Sequence, residues 1–405
     1  MQSKVIDQTR QKTNLLILAY IAFIGLGLPV SLMGVAWPTL RIELALPLDA
    51  LGLLFISSTI GYLTSSFIIA RLISRFGIGV LLIVSSLLSA AAFIGYTLVP
   101  SWTLIVILGV ISGFGSGLMD AGLNTYLAAE YNEGQMQWLH ACFGIGATLS
   151  PLIMTASLAI FTNWRPAFIL VGTLMVIMAI CFLITLPAWK RPKLPSSSPA
   201  ESENAELGLM DYRTSLWQTL LRIITWASIL MFLLYTGAEL TLGNWTYTLF
   251  TEGRGVTPQL AGLWAGGFWA TFTIGRVLAG LYTHRIRLNT MMYSTMLLAL
   301  VGAILFWWNP IPLLGVVGVF VVGFAMAPIF PGLVSSTSQR VGNLHAGNTI
   351  GIQISAAGLG GALLPALAGF LAERISLETI PVMLCVSLFG LLILYLLSTR
   401  LKMTQ

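Results

Sequence analysis

Twelve times along the chain a stretch of about 20 residues passes with almost no charge, which is the length and character needed to cross the hydrocarbon of a bilayer. The runs fall at 14–36, 49–70, 78–99, 102–128, 137–161 and 166–188, then at 223–250, 258–282, 288–308, 311–336, 346–371 and 378–398. Only 8% of the 405 residues are charged and 57% are hydrophobic. A soluble domain carries about 25% charge and needs it to cover its surface. Disorder is excluded by the same figures, because it goes with low hydrophobicity and high charge. The first run is too long for the apolar core of a signal peptide and leads to no small-residue cleavage site, so it reads as a span. The expected fold is an all-α membrane protein of twelve transmembrane helices.

Lys and Arg set the orientation. With the N-terminus in the cytoplasm, fifteen fall in inside segments and four (Arg41, Arg165, Arg254 and Arg374) in outside ones, with Arg276 left inside a span. The positive-inside bias therefore places both termini in the cytoplasm, as an even number of spans requires. Residues 189–222 break the pattern: they carry five basic and four acidic residues and the run Pro195-Ser196-Ser197-Ser198-Pro199. That segment reads as a cytoplasmic linker between a six-helix bundle at 1–188 and another at 223–405.

The halves echo one another at an offset of about 210 residues. Gly52-Leu53 corresponds to Gly262-Leu263, Arg75 to Arg285, and Gly113-Phe114 to Gly323-Phe324. In spans 5 and 11, Gly144, Gly146, Leu149 and Pro151 correspond to Gly358, Gly360, Leu363 and Pro365. Parallel repeats of this kind are common in secondary transporters, where substrate binds near the midplane. With its long central loop and Arg71-Leu72-Ile73-Ser74-Arg75-Phe76-Gly77 between spans 2 and 3, the chain resembles the major facilitator superfamily. Arg75 and Gly77 match that family's loop, while Ala70 and Ser74 stand where it has Gly and Asp. Span 4, Gly113-Phe114-Gly115-Ser116-Gly117-Leu118-Met119-Asp120-Ala121-Gly122-Leu123-Asn124, resembles the fucose-permease-like sugar symporters. In that branch the acid is associated with proton coupling and substrate binding. A second acid typical of its span 1 has no counterpart between residues 14 and 36.

Two acids lie deep in the runs, Asp120 and Glu239, where a charge at a helix centre costs about 2.5–3.5 kcal/mol on insertion scales. At 100° per residue, Gly109, Gly113, Gly117, Asp120 and Asn124 share a stripe about 80° wide. The glycines allow close approach of another helix, so the stripe is expected to face protein rather than lipid. Asp120 is then either a protonatable coupling group or a buried acid held by hydrogen bonds for packing. Asn124 is a substrate contact, a partner of Asp120, or plain helix glue. Glu239 shares a face with Tyr235, Gly243 and Thr246, and is a candidate for cation coupling as well as for accepting sugar hydroxyls. Asn244 and Trp245 become candidates by resemblance, since span 7 of sugar-transporting facilitators is often broken there. Trp269 could stack on a ring, and Gln353 either lines a cavity or bonds a neighbouring helix. Gly113, Gly117, Pro151 and Pro365 are expected to shape the packing. Arg75, Gly77 and Arg276 are read as gating or structural positions, with snorkelling the alternative for Arg276. His140 and His345, at the starts of spans 5 and 11, are more simply structural than proton relays.

Several chemistries are absent. No Gly-x-x-x-x-Gly-Lys-Ser/Thr cradles a phosphate, no His-Glu-x-x-His binds zinc, and Gly115-Ser116-Gly117 has no placed His. Cys142, Cys181 and Cys385 lie in apolar runs without ligand spacing, so neither a metal nor a disulfide framework is expected. The net charge of +6 is spread over loops, which disfavours nucleic acid. The expected protein is not an enzyme and uses no cofactor. It is a monomeric, multi-pass transporter of the cytoplasmic membrane, surrounded by lipid, that moves a small polar solute, a sugar first, with H+ or Na+. Efflux of lipophilic cations and a solute receptor signalling through 189–222 are the alternatives.

Overall fold

The computed structural model describes residues 2–131, 133–189, 215–282 and 286–402. Among these, eleven helical stretches are long and apolar enough to cross a membrane. A further helix, Pro258–Tyr282, has the length, at 25 residues, but a more dilute apolar character because it carries Gln259 and Arg276. Together they are the twelve expected spans of a multi-pass membrane protein. Most of the 189–222 linker, and Arg285 of the repeat, lie outside the described residues.

The chain divides into two compact units. The first comprises 1–193 together with 243–273, and the second 194–242 together with 274–405. The first unit holds α1 (Gln2–Gly27), α2 (Leu32–Glu43), α3 (Leu51–Phe76), α4 (Ile78–Leu98), α5 (Trp102–Glu130), α6 (Glu133–Phe161) and α7 (Arg165–Thr185). Spans 1 and 10 are both interrupted. Span 1 turns at Leu28–Ser31, where Pro29 has no N–H to continue the ladder. The freed N–H of Ser31 donates to Ser150 Oγ of α6 at 3.2 Å, so a side chain replaces the lost backbone partner.

Close backbone approach holds α3 against α5. A Cβ at Gly113 would overlap the Ser58 carbonyl oxygen, and one at Gly117 would come within 2.6 Å of that of Tyr62. Without a hydrophobic force between helices in lipid, such contact is what binds them. Pro151 lies within α6 without breaking it. Between α3 and α4 the chain reverses at Gly77, whose φ of +81° is a conformation that favours glycine. Arg75, exposed beside it, lies 5.4 Å over the Phe76 ring. At the far end of the spans Glu43 pairs with Arg165 and accepts from Trp164 Nε1 at 2.8 Å, while Arg165 also donates to the Thr97 carbonyl. This half-exposed network ties span 1 to spans 3 and 6.

The second unit holds α8 (Leu216–Leu220), the first part of α9 (Ile223–Thr248), the last part of α10 (Pro258–Tyr282), α11 (Leu288–Trp308), α12 (Pro312–Met326), α13 (Ile329–Ser335), α14 (Thr337–Val341), α15 (Asn343–Arg374) and α16 (Thr379–Lys402). Span 10 breaks at Ala327–Pro328, for the same reason as span 1. Pro365 is accommodated within α15. Span 7 is different: α9 runs unbroken past Gly243 to Thr248 and only then loosens into a π-turn at Leu249–Gly253. The expected break near Gly243 is absent because that glycine has another use. A Cβ there would lie 2.6 Å from the Trp269 ring, so the missing side chain makes room for the indole.

The free thiols Cys142, Cys181 and Cys385 form no disulfide. Among the described residues no three His, Cys, Asp or Glu side chains gather as a metal site. His345 meets Thr219 through Nδ1···Oγ1 at 2.9 Å, which docks α8 on the start of α15, and His140 lies edge-on to Phe23.

Candidate functional site

In the first unit, the acid of span 4 sits in a compact hydrogen-bonded cluster. Tyr62, on α3, donates its hydroxyl to Asp120 Oδ2. Asn124, one turn beyond Asp120 on α5, donates from Nδ2 to Asp120 Oδ1 at 2.8 Å and to the Asp120 carbonyl at 2.9 Å. A backbone carbonyl can only accept, so the second bond fixes the amide with its NH2 toward Asp120. Both carboxylate oxygens therefore face donors. All three side chains are half-buried. Gly113 and Gly117 create the cluster, because the close packing they permit brings Tyr62 of α3 to Asp120 of α5.

In the second unit, Glu239 of α9 lies in electrostatic contact with Tyr235, one turn earlier on the same helix, and with Arg276 of α10. The Tyr235 hydroxyl also donates to the Met326 carbonyl at 3.1 Å, beside the break in span 10. Arg276 thus has an acid near it, and the acid is Glu239. Gln353 is fully buried and accepts from Thr337 Oγ1 of α14 at 3.1 Å, so it bonds a neighbouring helix.

Asn244, Trp245 and Trp269 belong to the first unit and are at most 4% exposed. A Cβ at Gly34 would overlap the Asn244 carbonyl oxygen, which places this end of α9 directly on α2. Trp269 packs on Phe268 and Phe272 and donates Nε1 to Ser31 Oγ at 2.7 Å, at the kink in span 1. Trp269→Phe loses this bond together with part of a buried ring system, and is expected to lower stability by about 2–4 kcal/mol in a thermal or denaturant melt.

The sequence reading missed Tyr62 as the partner of Asp120, Ser31 and Ser150 at the kink that Trp269 meets, and Thr337 as the partner of Gln353. For Tyr62 a signal existed: it falls on the same α3 face as Ser58, Gly61 and Ser65, and a tyrosine on a small-residue packing face is out of place.

The profile of the Major Facilitator Superfamily matches residues 19–347 and, in a second alignment, 227–404. The human "Sodium-dependent glucose transporter 1" is 27% identical over 408 residues, covering 91% of this chain and 75% of that protein. "Glucose/mannose transporter GlcP" of Bacillus subtilis (strain 168) is 21% identical over 312 residues, covering 76% of this chain and 75% of that protein. Among solved structures, a single-residue variant of the E. coli fucose:proton symporter FucP superposes with a TM-score of 0.64 at 15% identity, covering 95% of this chain and 98% of that one. This last likeness is one of fold.

Proposed function

The chain belongs to the Major Facilitator Superfamily, and from that premise we propose that it is a secondary active sugar transporter of the cytoplasmic membrane, coupled to protons through Asp120. Both termini would be cytoplasmic, with 189–222 linking two six-helix bundles that work by alternating access. Sugar as the substrate class is supported by the glucose and mannose transport in the names of the relatives. Chemistry agrees: the amide of Asn124 and the carboxylate of Glu239, both half-buried, are suited to sugar hydroxyls. Asn244, Trp245, Trp269 and Gln353 would meet substrate only after a rearrangement, since all four are buried.

The observation that carries the proton reading is the pair of donors on Asp120. A sodium ion needs several oxygen ligands converging on it, whereas Asn124 turns N–H rather than oxygen toward Asp120, in an orientation that its bond to the Asp120 carbonyl fixes. A proton needs only one oxygen.

The test is uptake of labelled hexoses by vesicles carrying the protein under an inward proton gradient. Accumulation is expected to vanish with a protonophore and to change less than about twofold when sodium is replaced by choline. Sodium dependence would overturn the coupling assignment, and absence of transport across a hexose panel would overturn the substrate class.

A further inference from the structure

Resting on the reading of Asp120 as the proton carrier, we infer that Tyr62 is a positioning residue that directs the proton to Oδ2 of Asp120 by exchanging the donor and acceptor roles of one hydrogen bond. Asn124 sets a donor that cannot turn round on the other oxygen. Its Nδ2 is committed to the Asp120 carbonyl and to Oδ1, and neither hydrogen can be withdrawn by an amide flip without setting the Asn124 oxygen against that carbonyl. A proton bound at Oδ1 would weaken the fixed N–H bond and find no acceptor in Asn124 Nδ2, while one arriving at Oδ2 faces a hydroxyl, which can accept as readily as donate. In the ionised state Tyr62 donates to Oδ2. On loading, a proton from water forms an O–H bond at Oδ2, the Tyr62 hydroxyl rotates about its C–O bond, and Oδ2–H donates to the tyrosine oxygen. The phenolic O–H bond is never broken. Its hydrogen turns away from the carboxyl toward water, which a half-buried side chain can meet.

Among the described residues, the side chains that act on Asp120 are Tyr62 from α3 and Asn124 from α5 itself. From the described residues of the other helices packed on α5, namely α1, α4 and α6, no Lys, Arg, His or further acid acts on the carboxyl. The geometry also explains why the hydroxyl belongs to α3. Gly117 lets the Tyr62 backbone lie against α5, so Tyr62 reaches Oδ2 of Asp120 while Asn124 holds Oδ1.

Removing the hydroxyl has an effect of definite sign. A hydrogen bond to an ionised acceptor is stronger than one to a neutral partner, so Tyr62→Phe penalises the ionised state of Asp120 more than the loaded one. The pH midpoint of sugar uptake is expected to move up by about one unit, given that one unit corresponds to 1.36 kcal/mol. A residue that only filled space would not move that midpoint.

The experiment compares the wild type, Tyr62→Phe and Asp120→Asn, full length, by two readouts. One is the pH profile of glucose uptake in vesicles. The other is the carboxylic C=O band that appears on acidifying the purified protein, recorded by infrared difference spectroscopy and assigned by its loss in Asp120→Asn. A raised midpoint together with a displaced band in Tyr62→Phe is the expected result. A wild-type midpoint and an unmoved band in Tyr62→Phe, with both accumulation and band lost in Asp120→Asn, would overturn the role of Tyr62 and leave Asp120 as the carrier. Accumulation that survives Asp120→Asn would overturn the carrier and this inference with it. If Tyr62→Phe does not fold by thermal melt, Tyr62→Met removes the same hydroxyl and is expected to give the same displacement.

Discussion

Asp120→Asn is expected to bring sugar accumulation down to equilibrium, an inside-to-outside ratio of one, while exchange of labelled for unlabelled sugar continues. Asparagine occupies nearly the same volume, and its oxygen can still accept from Asn124 while its NH2 donates to the Tyr62 hydroxyl. The packing of α3 on α5 should therefore survive. What is lost is the change of charge. Each pH unit across the membrane is worth about 1.4 kcal/mol per proton, so a coupled carrier can concentrate sugar about tenfold per unit of gradient. Under a gradient of two units the difference between wild type and variant is about a hundredfold, read from steady-state uptake. Preserved counterflow shows that binding and the conformational cycle remain. Loss of both would show that the substitution had damaged the protein instead.

Gly113→Val is expected to be the most damaging single change to the first unit. A Cβ at this position overlaps a backbone carbonyl, that of Ser58, rather than the end of a flexible side chain. The helix as a whole must therefore shift, and α3 carries Tyr62 only one turn from the clash. Overpacking in a well-packed core costs about 1–3 kcal/mol, occasionally more, and a backbone collision belongs at or above the top of that range. The contact is lost as well as the space, since the pair is held by the close approach itself. Thermal melts in detergent should show a large drop, and in any folded fraction the pH midpoint of uptake should rise as in Tyr62→Phe, because Tyr62 has left Asp120. Gly255→Ala provides the contrast in space, for nothing lies within 4 Å of the Cβ it would add, although its φ of +64° carries its own strain.

The spans were legible in the sequence because crossing a bilayer imposes a length and an apolar character that few residues can violate. The glycine stripe of span 4 was legible for a related reason: periodicity on one helix is a local property, and Gly113, Gly117, Asp120 and Asn124 needed no partner to be placed on one face. Tyr62 was not, because its role depends on which helix meets that stripe, and adjacency of spans is a tertiary fact. The same limit applies to Arg276, which sequence alone could not pair, and to Gln353, whose bond to Thr337 spans the loop between two helices. The kinks went the other way. Proline was visible at 29 and 328, yet Pro151 and Pro365 sit inside continuous helices. What distinguishes Pro29 is the Ser150 hydroxyl waiting for the Ser31 N–H, supplied by a helix more than a hundred residues away. Span 7 carried glycines suggestive of a break, but at Gly243 the absent side chain accommodates Trp269 and the helix continues.

Asp120 as a proton carrier is tested most directly by recording proton movement when sugar is added to sodium-free vesicles containing the purified protein. A pH-sensitive dye in the lumen should report acidification on adding glucose or mannose to the wild type, and no change with Asp120→Asn. Sugar entry without proton movement in the wild type, or proton movement that persists in Asp120→Asn, would contradict it.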